Sequence, residues 1–123
     1  KVYIIHINKQ LVNILGVVWE DVMKPQRSEI LSRMIRFLNL DSDGLRRFVL
    51  ESIVEAREFT VASLHECVSS RFNVSRKTIA SMIGYICSSL GILHVNKKSY
   101  RTPKTYVLRD EYADIARAVL ATL

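Results

Sequence analysis

The strongest constraint on the fold lies between Ser75 and Leu108, where the apolar residues change their period. Ile79, Met82/Ile83, Ile86 and Leu90 recur at spacings of three and four. That spacing puts them on one face of a helix. Ser75 stands before the stripe as an N-cap, and Gly91 stands after it as a left-handed C-terminal residue. Past Gly91 the helical spacing stops. Ile92–Val95 and Thr105–Leu108 are short strand-like runs separated by a basic loop holding Lys97, Lys98, Arg101 and Lys104. The expected unit is one helix over 75–90 leading into a β-hairpin over 92–109.

Upstream, the chain reads as a series of helices. In residues 1–23, Val2 to Ile7 is rich in β-branched residues, which suits a strand. Ile4, Ile7, Leu11, Ile14/Leu15, Val18 and Val22 nevertheless follow helical spacing, so a helix is expected from about Lys9 to Met23. Pro25 breaks this segment and suits the start of a new helix over about 26–38, with Ile30, Met34/Ile35 and Leu38 on one face. Arg27, Arg33 and Arg36 fall elsewhere on its surface. Asn39 to Gly44 partly matches a calcium loop, but Leu50 stands where the bidentate Glu is needed, and Arg46 and Arg47 lie close by. The expected role of Asp41 or Asp43 is therefore to cap a helix over 45–56, with Leu45, Phe48/Val49 and Ile53 inward. Residues 58–60 read as a connection. Thr60 is the N-cap of a helix over 61–71 with Val61, Leu64, Val68 and Phe72 inward, and Asn73 suits a tight turn into the next helix. Asp110 is expected to cap a last helix over 111–123 with the stripe Tyr112, Ile115, Ala116, Val119 and Leu123. The chain thus divides into an apolar segment 1–24, a domain over 25–110 and a C-terminal helix 111–123. The class is mainly α, formally α+β.

Charge narrows the function. The 123-residue chain has a net charge of +6 and pI ≈ 9.6, which favours acidic partners. The charge is uneven. From Cys67 to Arg109 there is no Asp or Glu, whereas Arg71, Arg76, Lys77, Lys97, Lys98, Arg101, Lys104 and Arg109 all fall there. If the helix at Ser75 buries its apolar stripe, Arg76, Lys77, Ser81, Thr78 and Tyr85 lie on or beside its outer face. Such a helix can enter the major groove of a DNA duplex by its N-terminal turns. Arg and Lys there reach guanine or phosphate, and the hydroxyls of Ser75, Thr78 and Ser81 are available to phosphate or base. Ala80 and Gly84 allow close approach. The loop cations Lys97, Lys98, Arg101 and Lys104, with Arg71, suit the phosphate backbone or a minor groove. Tyr85, Tyr100 and Tyr106 lie among these cations, where tyrosines either stack on bases or pack a strand on the core; packing is expected for Tyr106, and both roles stay open for Tyr100.

The stretch FNVSRKTIASMIGYICSSLGIL resembles the turn and reading helix of winged helix-turn-helix transcriptional regulators of bacteria and archaea. The flow from Arg27-Ser28-Glu29-Ile30 through Leu40-Asp41-Ser42-Asp43-Gly44 to Leu90-Gly91-Ile92-Leu93 is similar to a small archaeal winged-helix family of unassigned function, over about residues 27–120. The resemblance implies a three-helix core with a β-hairpin wing. It implies a cytoplasmic DNA-binding protein whose helix 75–90 enters the major groove while wing residues 97–104 lie on the backbone or minor groove. A homodimer through the N-terminal and C-terminal helices is expected from the surplus apolar surface of 1–23. The alternatives are a non-enzymatic protein-docking module and, more weakly, RNA or single-strand binding.

Other classes find little support. There is no Gly-rich phosphate loop, nucleophile elbow or paired carboxylate, so no enzyme or cofactor is expected. His6, His65 and His94 are scattered, and together with Cys67 and Cys87 they lack metal-ligand spacing. The two cysteines fit a reducing compartment. Nothing resembles a signal peptide, and the polar residues of 1–23 argue against a membrane span.

Overall fold

A computed structural model describes residues 25–97 and 101–123. The expectations for residues 1–24, and for Lys98 and Tyr100, fall outside it. The described chain is mainly helical, with five helices and a small three-stranded antiparallel sheet.

Helix α1 (Pro25–Asn39) opens on the expected proline. Its buried face includes the expected Ile30, Met34, Ile35 and Leu38, and is widened by Leu31 and Phe37. Helix α2 (Leu45–Ala56) follows. Both candidate aspartates cap it. The two oxygens of Asp41 accept the N–H groups of Arg46 and Arg47 at 3.1 and 3.0 Å, and Asp43 Oδ1 accepts that of Leu45 at 3.0 Å. Gly44, at φ 87°, supplies the left-handed residue before the first turn. Leu50, one side of the expected stripe, is fully buried with Val49 and Ile53.

The expected connection at 58–60 contains a strand, β1 (Glu58–Phe59). Two residues cannot show a strand period, so only pairing reveals it. Glu58 faces Val107 and Phe59 faces Tyr106. Helix α3 (Val61–Val68) starts as expected on a reciprocal capping box between Thr60 and Ser63. It ends three residues earlier than the sequence suggests. The Ser70 hydroxyl donates to the Cys67 carbonyl at 2.7 Å, and the Arg71 N–H reaches Val68 at 3.0 Å, tightening the last turn.

Helix α4 (Arg76–Tyr85) is not the single α-helix expected over 75–90. It continues as one π-helical turn (Ile86–Leu90), closed by Gly91 at φ 75°, whose N–H reaches back five residues to Ile86. The expected stripe survives this change: Ile79, Ile83, Ile86 and Leu90 are all fully buried. Strands β2 (Leu93–Asn96) and β3 (Thr105–Leu108) form the expected hairpin, with Leu93 opposite Leu108 and Asn96 opposite Thr105. The sheet order is β1–β3–β2.

Helix α5 (Asp110–Thr122) corrects two expectations. Asp110 is its first residue, not its cap, and pairs with Arg57 at 3.1 Å. Leu123 lies past the helix end and is half exposed, while Leu120 completes the buried stripe of Tyr112, Ile115, Ala116 and Val119. Both α1 and α2 pack on α5. Arg27 of α1 holds its first turn through Asp114 (2.8 Å) and the Glu111 carbonyl, and Arg47 of α2 donates to the Leu120 carbonyl near its end. The C-terminal helix therefore shares the core of the rest of the chain.

Candidate nucleic-acid interface

The turn between α3 and α4 sets how the basic helix is presented. His65 lies on α3, and its Nε2 is 2.8 Å from the Val74 carbonyl and 3.2 Å from the Ser69 hydroxyl. One imidazole thus ties the end of α3 to the residue before the next cap. Ser75 then caps α4 by accepting the Thr78 N–H at 3.1 Å, and its hydroxyl also bonds the Thr78 hydroxyl at 2.9 Å. Both side chains are exposed, but their first commitment is to the helix start.

With Ile79, Ile83 and Ile86 inward, the opposite face of α4 carries Lys77, Ala80, Ser81 and Gly84, all exposed. A Cβ added at Gly84 would meet nothing within 4 Å, so this surface is open. Arg76 flanks it on the sheet side. Together with Lys104 it lines a recess of about 270 Å³, walled by Thr60, Val61, Ala62, Pro103 and Tyr106. The start of the basic helix and the base of the hairpin tip are thereby brought together. Lys97 and Arg101 are exposed along the same hairpin.

Two expected site residues are held elsewhere. The Arg71 guanidinium sits 4.7 Å over the Phe48 ring of α2, itself 5.8 Å from Phe72. Tyr85 stacks on Phe37 of α1 at 5.8 Å and 19°, yet remains 43% exposed. Tyr106 packs as expected, stacked on Phe59 at 5.7 Å.

The electrostatics separate the two sides of the molecule. The described ion pairs, Arg27–Asp114, Arg33–Glu29, Arg47–Glu51, Arg57–Asp110 and Arg109–Glu111, all involve α1, α2 or α5 and the residues beside them. Among the described residues, Arg76, Lys77, Lys97 and Lys104 have no carboxylate partner. No group of three metal-ligating side chains is found among the described residues. Cys67 and Cys87 are free thiols.

Sequence reasoning missed two features. One is the His65 brace, whose partner is a backbone carbonyl nine residues away. The other is a recess of about 300 Å³ at the far end of the basic helix, lined by Arg33 and Arg36 of α1 with Tyr85, Ser88 and Ser89. Nothing local to α1 marks it, because the two halves are brought together only by packing.

A family model described as "Protein of unknown function (DUF2551)" matches residues 34–116. The chain belongs to the DUF2551 family. That match runs from the second half of α1 to the middle of α5, and so includes the basic helix, the hairpin, the Arg76–Lys104 recess and, apart from Arg33, the lining of the second recess. An uncharacterized protein of Archaeoglobus fulgidus is similar over 93 residues at 34% identity, covering 75% of this chain and 93% of the relative. No solved structure matches. The expected likeness to an archaeal family of unassigned function therefore holds at the level of DUF2551 and its archaeal relative.

No described helix is long and apolar enough to cross a membrane.

Proposed function

We propose that this chain is a winged helix-turn-helix protein that binds double-stranded DNA and regulates transcription. The observation that carries the reading is the exposed outer face of α4, where Lys77, Ser81 and Gly84 stand open beside an Arg76–Lys104 recess whose described lining holds no carboxylate. The order helix, strand, helix, helix, strand, strand, with the sheet arranged β1–β3–β2, supports the winged reading. In it, α3 braces α4, α4 enters the major groove, and the β2–β3 tip rides on the backbone or minor groove. Lys77, Arg76 and Ser81 are the residues that meet bases, and Lys97, Lys98, Arg101 and Lys104 give sequence-independent affinity.

The protein acts as a homodimer in this proposal, since such helices read half-sites about one helical turn apart. The apolar stripe of α5 is already used by α1 and α2. The contact is therefore assigned to segment 1–24 and the outer face of α5. Sedimentation at micromolar concentration is expected to give twice the 14.1 kDa chain mass, and a monomer alone removes the dimer from the proposal.

The test of DNA binding is fluorescence anisotropy with an arbitrary duplex. With about four to six phosphates neutralised, log K should fall against log[salt] with a slope of roughly −4 to −5. Lys97→Ala/Lys98→Ala should weaken all sequences alike, and Arg76→Ala or Lys77→Ala should relax base preference at a cost of about 1–3 kcal/mol each. An absence of duplex binding at about 50 mM salt, where such contacts are strong, points to protein docking instead. A preference for single strands points to RNA or single-stranded DNA.

A further inference from the structure

The recess between α1 and the end of the basic helix has the chemistry of a phosphate seat. Arg36 is exposed, and its guanidinium makes no hydrogen bond or ion pair among the described residues. Its neighbour in the recess, Arg33, differs. It donates to the Ser89 carbonyl at 3.2 Å and pairs with Glu29, so it fastens α1 to the π-helical turn and its charge is compensated. The Ser88 hydroxyl gives its proton to the Gly84 carbonyl at 2.8 Å. Among the described residues, the Arg36 guanidinium and the Tyr85 hydroxyl are donors of this recess with no hydrogen-bond partner. Stacking on the buried Phe37 fixes the plane of the Tyr85 ring.

Position gives this recess its meaning. Ser88 continues the exposed line Lys77, Ser81, Gly84 at spacings of four, three and four. The recess thus closes one end of the outer face, and the Arg76–Lys104 recess closes the other. From Lys77 to Ser88 the helix rises roughly 16 Å at its usual pitch. A major groove is about 12 Å wide between its phosphate walls. A helix seated in it brings its two ends toward backbone on either side.

We infer that Arg36, with the Tyr85 hydroxyl, binds a phosphodiester of the DNA backbone at the end of α4 opposite the Arg76–Lys104 recess, so that the helix is anchored at both ends. The inference rests on the DNA reading above. It adds α1, a helix outside the α2–α4 unit, to the interface.

Anisotropy with an arbitrary duplex at stepped salt tests it. Arg36→Gln should weaken binding about tenfold at low salt and make the salt slope shallower by about one, the signature of a lost phosphate contact. Arg36→Lys should keep most of the affinity and the slope. The urea midpoint of Arg36→Gln should match the parent, because the side chain is exposed. Arg36→Gln combined with Lys104→Gln should lose the product of the two single losses, since distant sites act independently. If Arg36→Gln binds within twofold of the parent while Lys77→Ala is impaired, the recess is no contact and the DNA reading stands. If the double variant is no weaker than Lys104→Gln, the two-ended anchor is overturned. If the parent protein ignores duplex altogether, both readings fall. Inorganic phosphate, titrated by NMR, separates the other source of this chemistry. Saturable binding that Arg36→Gln abolishes, with duplex affinity intact, makes the recess a small-anion site and overturns the inference.

Discussion

At the scale of single residues, Arg57 shows strain set against function-free contacts. It is the one described non-glycine residue at positive φ (65°), a conformation that costs an L-residue about 1–3 kcal/mol. Backbone bonds hold it there: its N–H donates to Ile53 and its carbonyl accepts from Leu108, each at 2.8 Å. These bonds close α2 and start the sheet, and neither needs the side chain. The side chain offers only an ion pair with Asp110, which is 91% exposed and so contributes little. Arg57→Gly should therefore stabilise the protein by about 0.5–1 kcal/mol after the added freedom of the unfolded chain is subtracted. Thermal denaturation should show a rise of a few degrees, and a fall would mean the Asp110 pair matters more than the strain.

At the scale of elements, legibility follows locality. Thr60, Ser75 and Gly91 mark helix ends in the sequence because a cap acts within three or four residues, and all three act there as expected. The buried stripe of α4 is equally legible, since its period survives the π-helical turn. The turn itself is not, because a wider hydrogen bond from Gly91 to Ile86 leaves no mark on residue spacing. β1 was invisible for want of length, and the Arg36–Tyr85 recess because its halves lie far apart in sequence. The outer face was legible as composition, but not its openness. Gly84 separates that openness from stability. It lies inside a helix with empty space around its Cβ position, so Gly84→Ala should stabilise the fold by about 0.5–1 kcal/mol. Gly84→Leu should also fold, yet its bulk stands on the surface assigned to the groove. Urea melts and duplex anisotropy should thus move in opposite directions for Gly84→Leu. Unchanged duplex affinity would show that the middle of α4 does not approach DNA closely.

At the scale of the whole molecule, the helical platform and the basic face are built from different residues. α5 lies against α1 and α2, fixed by Tyr112, Ile115 and Val119 inside and by Arg27 and Arg47 at its ends. The ion-paired carboxylates Glu29, Glu51, Asp110, Glu111 and Asp114 lie on this side, while the span from Cys67 to Arg109 has no carboxylate. A defect in the platform should therefore lower the folded population without changing how folded molecules bind. Ile115 is fully buried and far in sequence from α4. Ile115→Ala should cost about 2–4 kcal/mol of stability, read as a lower urea midpoint, with duplex affinity per folded molecule unchanged within twofold. Phe37 provides the contrast. It is equally buried, but it lies under Tyr85 and beneath Arg46, whose guanidinium is 4.8 Å above its ring. Phe37→Leu should cost stability and also loosen the Tyr85 ring at the end of the basic face, weakening duplex binding by folded protein. Equal effects of the two substitutions on affinity would mean that the platform and the face respond as one body, and that α1 does not connect them through this single stack.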